Sequence, residues 1–263
     1  MASTIAHDKG VALVTGSAQG IGKAIAIRLA SDGYKVGLND IASKKELLHA
    51  LAVEIEQRHG AGSTFVAIAD VGDEEEVMAM VKDTVKALGG LDVMVANAGI
   101  LGQVKPIITL SPEEFDTVLR VNLRGVFLCY KYAAIQMIAQ NRGGRIIGAS
   151  SVTGKQGGEL NGPYAASKFA VRGLTQCAAL ELAEHNITVN AYAPGFIATP
   201  MVSNFTGETD PDLTGNRYFK QLPRFAKMGK PEDIASIVSY LASKEAHYIT
   251  GQSISVNSGI FFD

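Results

Sequence analysis

The stretch from Gly10 to Asp40 limits the fold of this chain more than any other. Gly10-Val11-Ala12-Leu13-Val14 is a short, continuously apolar run rich in β-branched residues, the pattern of a strand buried on both faces of a parallel sheet. It runs directly into Thr15-Gly16-Ser17-Ala18-Gln19-Gly20-Ile21-Gly22. Ala24, Ile25, Ile27, Arg28 and Leu29 then read as a helix that stops at Gly33. A strand that passes through a glycine loop into a helix brings free backbone N–H groups and the positive end of the helix dipole to one point, where a pyrophosphate can be held. The spacing is Gly-x-x-x-Gly-x-Gly rather than the commoner Gly-x-Gly-x-x-Gly. Tyr34 to Asp40 is a second strand, ending in an acid about twenty residues past the glycines. At that place Asp40 accepts hydrogen bonds from the hydroxyls of an adenosine ribose and repels a 2′-phosphate. Ile41 follows it, and no Arg or Lys stands beside it, so the residues predict NAD in preference to NADP. Capping of a helix from Ser43 is a second role open to Asp40.

The alternation continues down the chain. Ser43 to His59 is an amphipathic helix, with Leu47, Leu48, Leu51 and Ile55 on its inner face. Thr64 to Ala69 is a third strand, ending at Asp70-Val71. The acids Asp73 to Glu76 open the next helix rather than a calcium loop, because alternating oxygen ligands are missing. Leu91 to Val95 is a fourth strand, closed by the small-residue turn Ala96-Asn97-Ala98-Gly99, where backbone can approach a ligand. Ser111-Pro112-Glu113-Glu114 is a helix start with a cap, a first-position proline and acids behind it. The long helix that follows carries Asn122 in an otherwise apolar stripe, and on pattern alone this amide is structural, since it must find partners or cost a few kcal/mol.

Arg145-Ile146-Ile147 lies in a fifth strand, Ile187 to Ala193 forms a sixth and Gln252 to Val256 a seventh. Pro231 opens the last major helix. Between them, Phe196 to Phe225 loses periodicity and reads as an irregular cover over a substrate. The apolar tail from Gly259 is expected to pack on its own chain or on a second copy. The expectation is one α/β domain over 1–263: a Rossmann-type doubly wound, seven-stranded parallel sheet with helices on both faces. Its dinucleotide-binding part spans about 9–150 and its catalytic and substrate-loop part about 151–263.

Bulk numbers narrow the function. With 263 residues and a formal net charge of −2, the chain lacks the basic excess that nucleic acid or an anionic membrane surface requires, so a small-molecule partner is expected. Cys129 and Cys177 are the only cysteines, read as buried thiols in a reducing compartment, the cytoplasm. Met1 to Gly10 shows no apolar signal core, and no apolar run approaches membrane-spanning length. The five histidines are scattered singly, read as surface residues, and no metal site is expected.

The chemistry points to Ser151–Lys168. A serine ends an apolar run, a Gly-rich loop follows, and Gly162-Pro163 then opens a helix carrying Tyr164 and Lys168 one turn apart on one face. A fixed cation beside a phenol favours the phenolate, which otherwise forms only near pH 10. Lowering that value by about three units takes roughly 4 kcal/mol, more than one exposed Lys supplies, so a second cation is needed. Tyr-x-x-x-Lys is common by chance: Tyr240 and Lys244 share the spacing, yet Tyr240 ends the stripe Ile234, Ile237, Val238, Leu241 and reads as core.

Together these residues resemble the short-chain dehydrogenases/reductases over Gly10 to Gly259. The resemblance rests on Thr15-Gly16-x-x-x-Gly20-Ile21-Gly22, Asp70-Val71, Asn97-Ala98-Gly99, Asn122, Ser151 with Tyr164-x-x-x-Lys168, and Pro194-Gly195. It implies Tyr164 as catalytic acid–base, Ser151 hydrogen-bonded to the substrate oxygen, Lys168 on the nicotinamide ribose, and Asn122 holding a relay water. It also implies cofactor contacts from Gly16, Gln19, Gly20, Ile21, Gly22, Asp40, Asp70, Val71, Asn97, Gly99, Gly195, Ile197 and Thr199. Within the family the chain is similar to acetoin (diacetyl) reductases and 2,3-butanediol dehydrogenases, especially in Ser167–Gln176 and Tyr248–Ser253. It departs from them at Val152, where a polar Gln is common, and at Asn257-Ser258-Gly259 in place of Asp-Gly-Gly. The implied activity is hydride exchange between NAD and a secondary alcohol or ketone, in a homotetramer. Reduction of a 3-oxoacyl thioester or of a bulkier cyclic ketone is the alternative, with an apolar pocket at Ile100, Val152, Phe196, Met201 and Phe205. A dinucleotide-sensing module without catalysis is the rival of another class.

Overall fold

Residues 9–206 and 228–262 are described by the structure, a computed structural model. In chain order the main elements are β1 (Val11–Val14), α1 (Gly20–Ser31), β2 (Lys35–Asp40), α2 (Lys45–His59), β3 (Thr64–Ile68), α3 (Glu74–Leu88) and β4 (Val93–Ala96). There follow α4 (Pro112–Leu119), α5 (Gly125–Gln140), β5 (Gly144–Ala149), α6 (Gly162–Leu182), β6 (Ile187–Pro194), α7 (Pro200–Thr206), α8 (Pro231–Ala242) and β7 (Ser253–Val256). The strands form one parallel sheet in the order β3-β2-β1-β4-β5-β6-β7.

Side-chain alternation explains why helices cover both faces. Ala12 and Val14 of β1 join one core with Ile25 and Leu29 of α1, Leu51 and Ile55 of α2, and Val238 and Leu241 of α8. Leu13, one residue out of phase, joins the other core with Val77 of α3, Val126 and Met137 of α5, and Val171 of α6. The order reverses between β1 and β4: the chain goes out to β2 and β3, then returns to the opposite side. A crevice therefore opens beyond the carboxyl ends of β1 and β4, where doubly wound sheets hold their ligands.

The capping expectations hold. Asp73 accepts from the Glu76 N–H at 3.0 Å to start α3, and Ser111 and Glu114 form a reciprocal box at α4 with Pro112 behind the cap. At the other end of the sheet Asp92 accepts from the Val11 N–H at 2.8 Å and takes two bonds from Arg142, at 2.7 and 3.1 Å. Asp92→Ala strands the Val11 N–H at the start of β1, and a stability loss of about 1–3 kcal/mol is expected, read as a lower urea midpoint at unchanged m.

Several expectations need correcting. The helix after Ser111 is not uniform: a π-helical turn, Arg120–Arg124, separates α4 from α5 and contains Asn122. The stretch after Phe196 is not irregular throughout, because Pro200 occupies the first position of α7, where its missing N–H and fixed φ suit a helix. The rest of that stretch, including Tyr218, Phe219 and Phe225, lies outside the described residues. Tyr240 is not core but 43 % exposed, on the outer side of α8 from the buried Val238 and Leu241. Cys177 is exposed, whereas Cys129 is buried and its thiol is pushed up to about 12 by that burial. His59 is buried at the end of α2. Among the described residues no helix is long and apolar enough to cross a membrane, and no cluster of metal-ligating side chains occurs.

Candidate active site

The glycine loop is shaped by what surrounds it. Gly16 and Gly20 hold φ of 63° and 57°, conformations that L side chains rarely adopt. A Cβ on Gly22 would overlap the Gly16 carbonyl oxygen and lie 2.6 Å from Asn97 Nδ2. Asn97 fastens the loop to the sheet: its Nδ2 donates to the carbonyls of Thr15 (2.9 Å) and Gly16 (3.2 Å), and its Oδ1 accepts from the Tyr192 hydroxyl (2.8 Å). Thr15 Oγ1 in turn accepts from the N–H groups of Asn97 and Ala98, at 3.0 and 3.1 Å. No side chain caps α1 and no acid stands in its first turn, so the positive helix end faces the crevice uncompensated, as an anion site requires.

Asp40, at the end of β2, accepts from the N–H groups of Ala18 (3.1 Å) and Ile41 (2.9 Å), which aims its carboxylate across the loop. Lys44 modifies the expectation that no cation stands near: it lines the same cavity, and its Nζ donates to Gln19 Oε1 at 3.4 Å. Asp70 takes the Gly72 N–H and Arg120 Nη1, both at 2.8 Å. Burial pushes its carboxyl up, but these two donors outweigh that and hold it below the usual range.

At the far end the catalytic candidates come together. Lys168 is buried, donates from Nζ to the Ala149 carbonyl at 2.8 Å, and sits 5.4 Å from the centre of the Tyr164 ring. Burial pulls its amine down to about 8, so it stays mostly protonated at neutral pH. Ser151 Oγ accepts from the N–H and hydroxyl of Thr153, at 3.2 and 3.0 Å, which leaves its own proton for another acceptor. In the protein alone burial raises the Tyr164 phenol, and the hydrogen bond with Ser151 only partly opposes this. Desolvation of the charged form is the larger of the two effects.

Asn122 is fully buried. Its Oδ1 accepts from the Ile100 N–H and its Nδ2 donates to the Ile100 carbonyl, both at 2.8 Å, with a further bond to Ser167 Oγ at 3.2 Å. The partners demanded of a buried amide are thus found. Ser167 Oγ donates to the Tyr164 carbonyl at 2.6 Å, and Gly99 is so close that a Cβ there would lie 3.2 Å from Asn122 Oδ1 and 3.4 Å from Lys168 Nζ.

One cavity of about 420 Å³ joins the two ends. Gly16, Gln19, Gly20, Ile21, Gly22, Asp40, Asp70, Val71, Asn97 and Gly99 line it, as do Ser151, Tyr164, Lys168, Gly195, Ile197 and Thr199. Of the apolar pocket residues, Ile100 and Met201 line it. Phe196 does not, although its neighbours Gly195 and Ile197 do. Val152, the first residue of a short 3₁₀ turn, does not line it either, and the side chain of Phe205 lies outside the described residues. Lys44, Arg120 and Tyr192 also line the cavity, and no local sequence pattern marks any of them. The residues fit a dinucleotide: a glycine loop lining the cavity with two residues at positive φ, an uncapped helix end for its pyrophosphate, and a fixed carboxylate for its ribose.

Residues 16–260 match the family profile described as enoyl-(acyl carrier protein) reductase. A short-chain dehydrogenase/reductase of Armillaria gallica is 52 % identical over 268 residues, covering 100 % of both chains. The 3-oxoacyl-[acyl-carrier-protein] reductase FabG of Staphylococcus aureus is 44 % identical, covering 95 % of this chain and 97 % of that one. Among solved structures, levodione reductase superposes with a TM-score of 0.88 at 35 % identity, covering 95 % of this chain and 97 % of its own. Acetoin dehydrogenase YohF of Salmonella typhimurium does so at 0.84 and 35 %, covering 95 % of each chain. The alternating strands and helices, the glycine cradle and the Ser151–Tyr164–Lys168 cluster thus belong to an oxidoreductase of CH–OH and ketone groups that uses a nicotinamide dinucleotide, and the chain is a member of the short-chain dehydrogenase/reductase family.

Proposed function

We propose that the protein interconverts a secondary alcohol and a ketone with NAD(H), with acetoin, diacetyl and 2,3-butanediol as first-choice substrates. The observation that carries this reading is the convergence of Ser151, Tyr164 and Lys168 at one end of a cavity whose other end is Asp40. When bound, the dinucleotide gives or takes the hydride. Ser151, its oxygen already serving Thr153 as acceptor, points its proton at the substrate oxygen. In ketone reduction Tyr164 delivers the phenolic proton to that oxygen, and in alcohol oxidation its phenolate takes the proton back. Lys168, anchored on Ala149, favours that phenolate and holds the nicotinamide ribose, while Asn122 holds the backbone beside a relay water.

The two backbone bonds on Asp40 support NAD over NADP, even with Lys44 in the cavity. Similarity to acetoin dehydrogenase supports the four-carbon substrates. The 44 % identity to FabG favours a second reading, reduction of a 3-oxoacyl thioester. Phe127, Ile135 and Ile138 on α5 and Phe169 and Leu180 on α6 stay exposed on the single chain, which supports assembly of several copies; the family resemblance favours a homotetramer, and the free Cys129 and Cys177 favour a reducing compartment, the cytoplasm.

Purified protein is tested for consumption of NADH with diacetyl, acetoin, an acetoacetyl thioester and a cyclic ketone, with NADPH in parallel. Fast turnover of diacetyl or acetoin with NADH is expected. Preference for the thioester moves the assignment to the second reading, and faster turnover with NADPH overturns the role given to Asp40.

A further inference from the structure

The π-helical turn Arg120–Arg124 is gripped from both ends of the cavity. On the adenine side, Arg120 Nη1 pairs with Asp70 Oδ2 at 2.8 Å, and its side chain passes where a Cβ on Gly72 would stand. At the end of the turn, Gly125 packs so tightly that a Cβ there would lie 2.7 Å from Val71 Cγ2 and 3.2 Å from the Val71 carbonyl oxygen. On the catalytic side, Asn122 clasps the backbone of Ile100 and reaches Ser167, whose hydroxyl bonds the carbonyl of Tyr164. Two residues apart on a helix, Arg120 and Asn122 leave the axis on nearly opposite sides, so each grip sets the rotation of the other. Wide turns of this kind are rare and, inside α-helices, frequently lie at functional sites.

We infer that Arg120 is a positioning residue, tying the adenine end of the cavity, through this turn, to the placement of Asn122 and Ile100 beside the catalytic Tyr164 and Lys168. The inference rests on the dinucleotide reading above. The wild-type protein tests that reading by itself, through NADH binding and turnover. The coupling has its own readout in amide exchange of the free protein, so the two can fail separately.

The experiment compares Arg120→Met, Arg120→Lys and Asp70→Asn with wild type. In Arg120→Met, kcat at saturating NADH is expected to fall about tenfold. Amide hydrogen exchange in the peptide covering Ile100 is expected to speed up, although Ile100 makes no bond to Arg120. Asp70→Asn breaks the same ion pair from the other partner and should reproduce both effects, and the double variant should add little. Arg120→Lys keeps a cation for Asp70 and should recover most of both. A raised KM for NADH with unchanged kcat and unchanged exchange at Ile100 overturns the inference, leaving Arg120 as an adenine contact alone. Equal loss in Arg120→Met and Arg120→Lys, with a common fall in melting temperature, also overturns it.

Discussion

Tyr164→Phe is expected to lower kcat by about 10²–10⁴-fold while NADH still binds, as read by fluorescence titration. The variant removes one oxygen and its hydrogen bond with Ser151, while Lys168 stays on Ala149 and Ser151 on Thr153. Only the proton donor is lost, so the rate falls and the affinity does not. The pH dependence has a definite sign. Burial raises the Tyr164 phenol, so the protonated form that reduction needs persists through neutral pH, and kcat/KM for a ketone falls only as the medium turns alkaline. Alcohol oxidation needs the phenolate and should rise over the same range. A Tyr164→Phe enzyme that keeps its rate and its pH profile removes Tyr164 from the mechanism.

Gly22→Ala is expected to damage both binding and folding. The added methyl meets the Gly16 carbonyl and the Asn97 amide, the two groups that hold the loop against β4 and β6. Neither is the free end of a flexible side chain, so the loop must move. A stability loss of about 1–3 kcal/mol is expected, and kcat/KM for NADH should fall by about a hundredfold because the cradle is displaced. Gly173→Ala is the matched control. It lies in α6 one turn from the exposed Phe169, where an added methyl would meet nothing within 4 Å on the single chain, and a gain of about 0.5–1 kcal/mol from helix propensity is expected for the separated subunit. Urea unfolding and NADH titration of both variants decide whether the effect at Gly22 comes from contact or from glycine loss as such.

Much of the site is legible in the sequence because its signals are local. Tyr164 and Lys168 share a helix face through spacing alone, Ser111 and Glu114 cap α4 through neighbouring chain, and the glycine loop follows β1 without interruption. Asp40 is legible for the same reason, at the end of the next strand. Lys44 is not, since its reach to Gln19 depends on how the short 3₁₀ turn Ala42–Lys44 sets α2 against α1. The start of α7 is hidden because the surrounding Gly, Asn and Thr mask the meaning of Pro200.

Asn122 marks the boundary. Sequence shows that a buried amide must find partners, and the tertiary structure supplies Ile100 and Ser167 together with a π-helical turn that no periodicity predicts. The direction of the Tyr164 shift is of the same kind. Charge spacing along α6 is a local quantity, whereas the desolvation that raises the phenol in the protein alone depends on everything packed around the ring. The succession of strands and helices, the inward helix faces and the catalytic spacing were determined by the sequence itself, because period and adjacency decide them. Which groups meet across the crevice, and what their burial does to their protons, only the tertiary structure decided, because those energies depend on residues far apart in the chain.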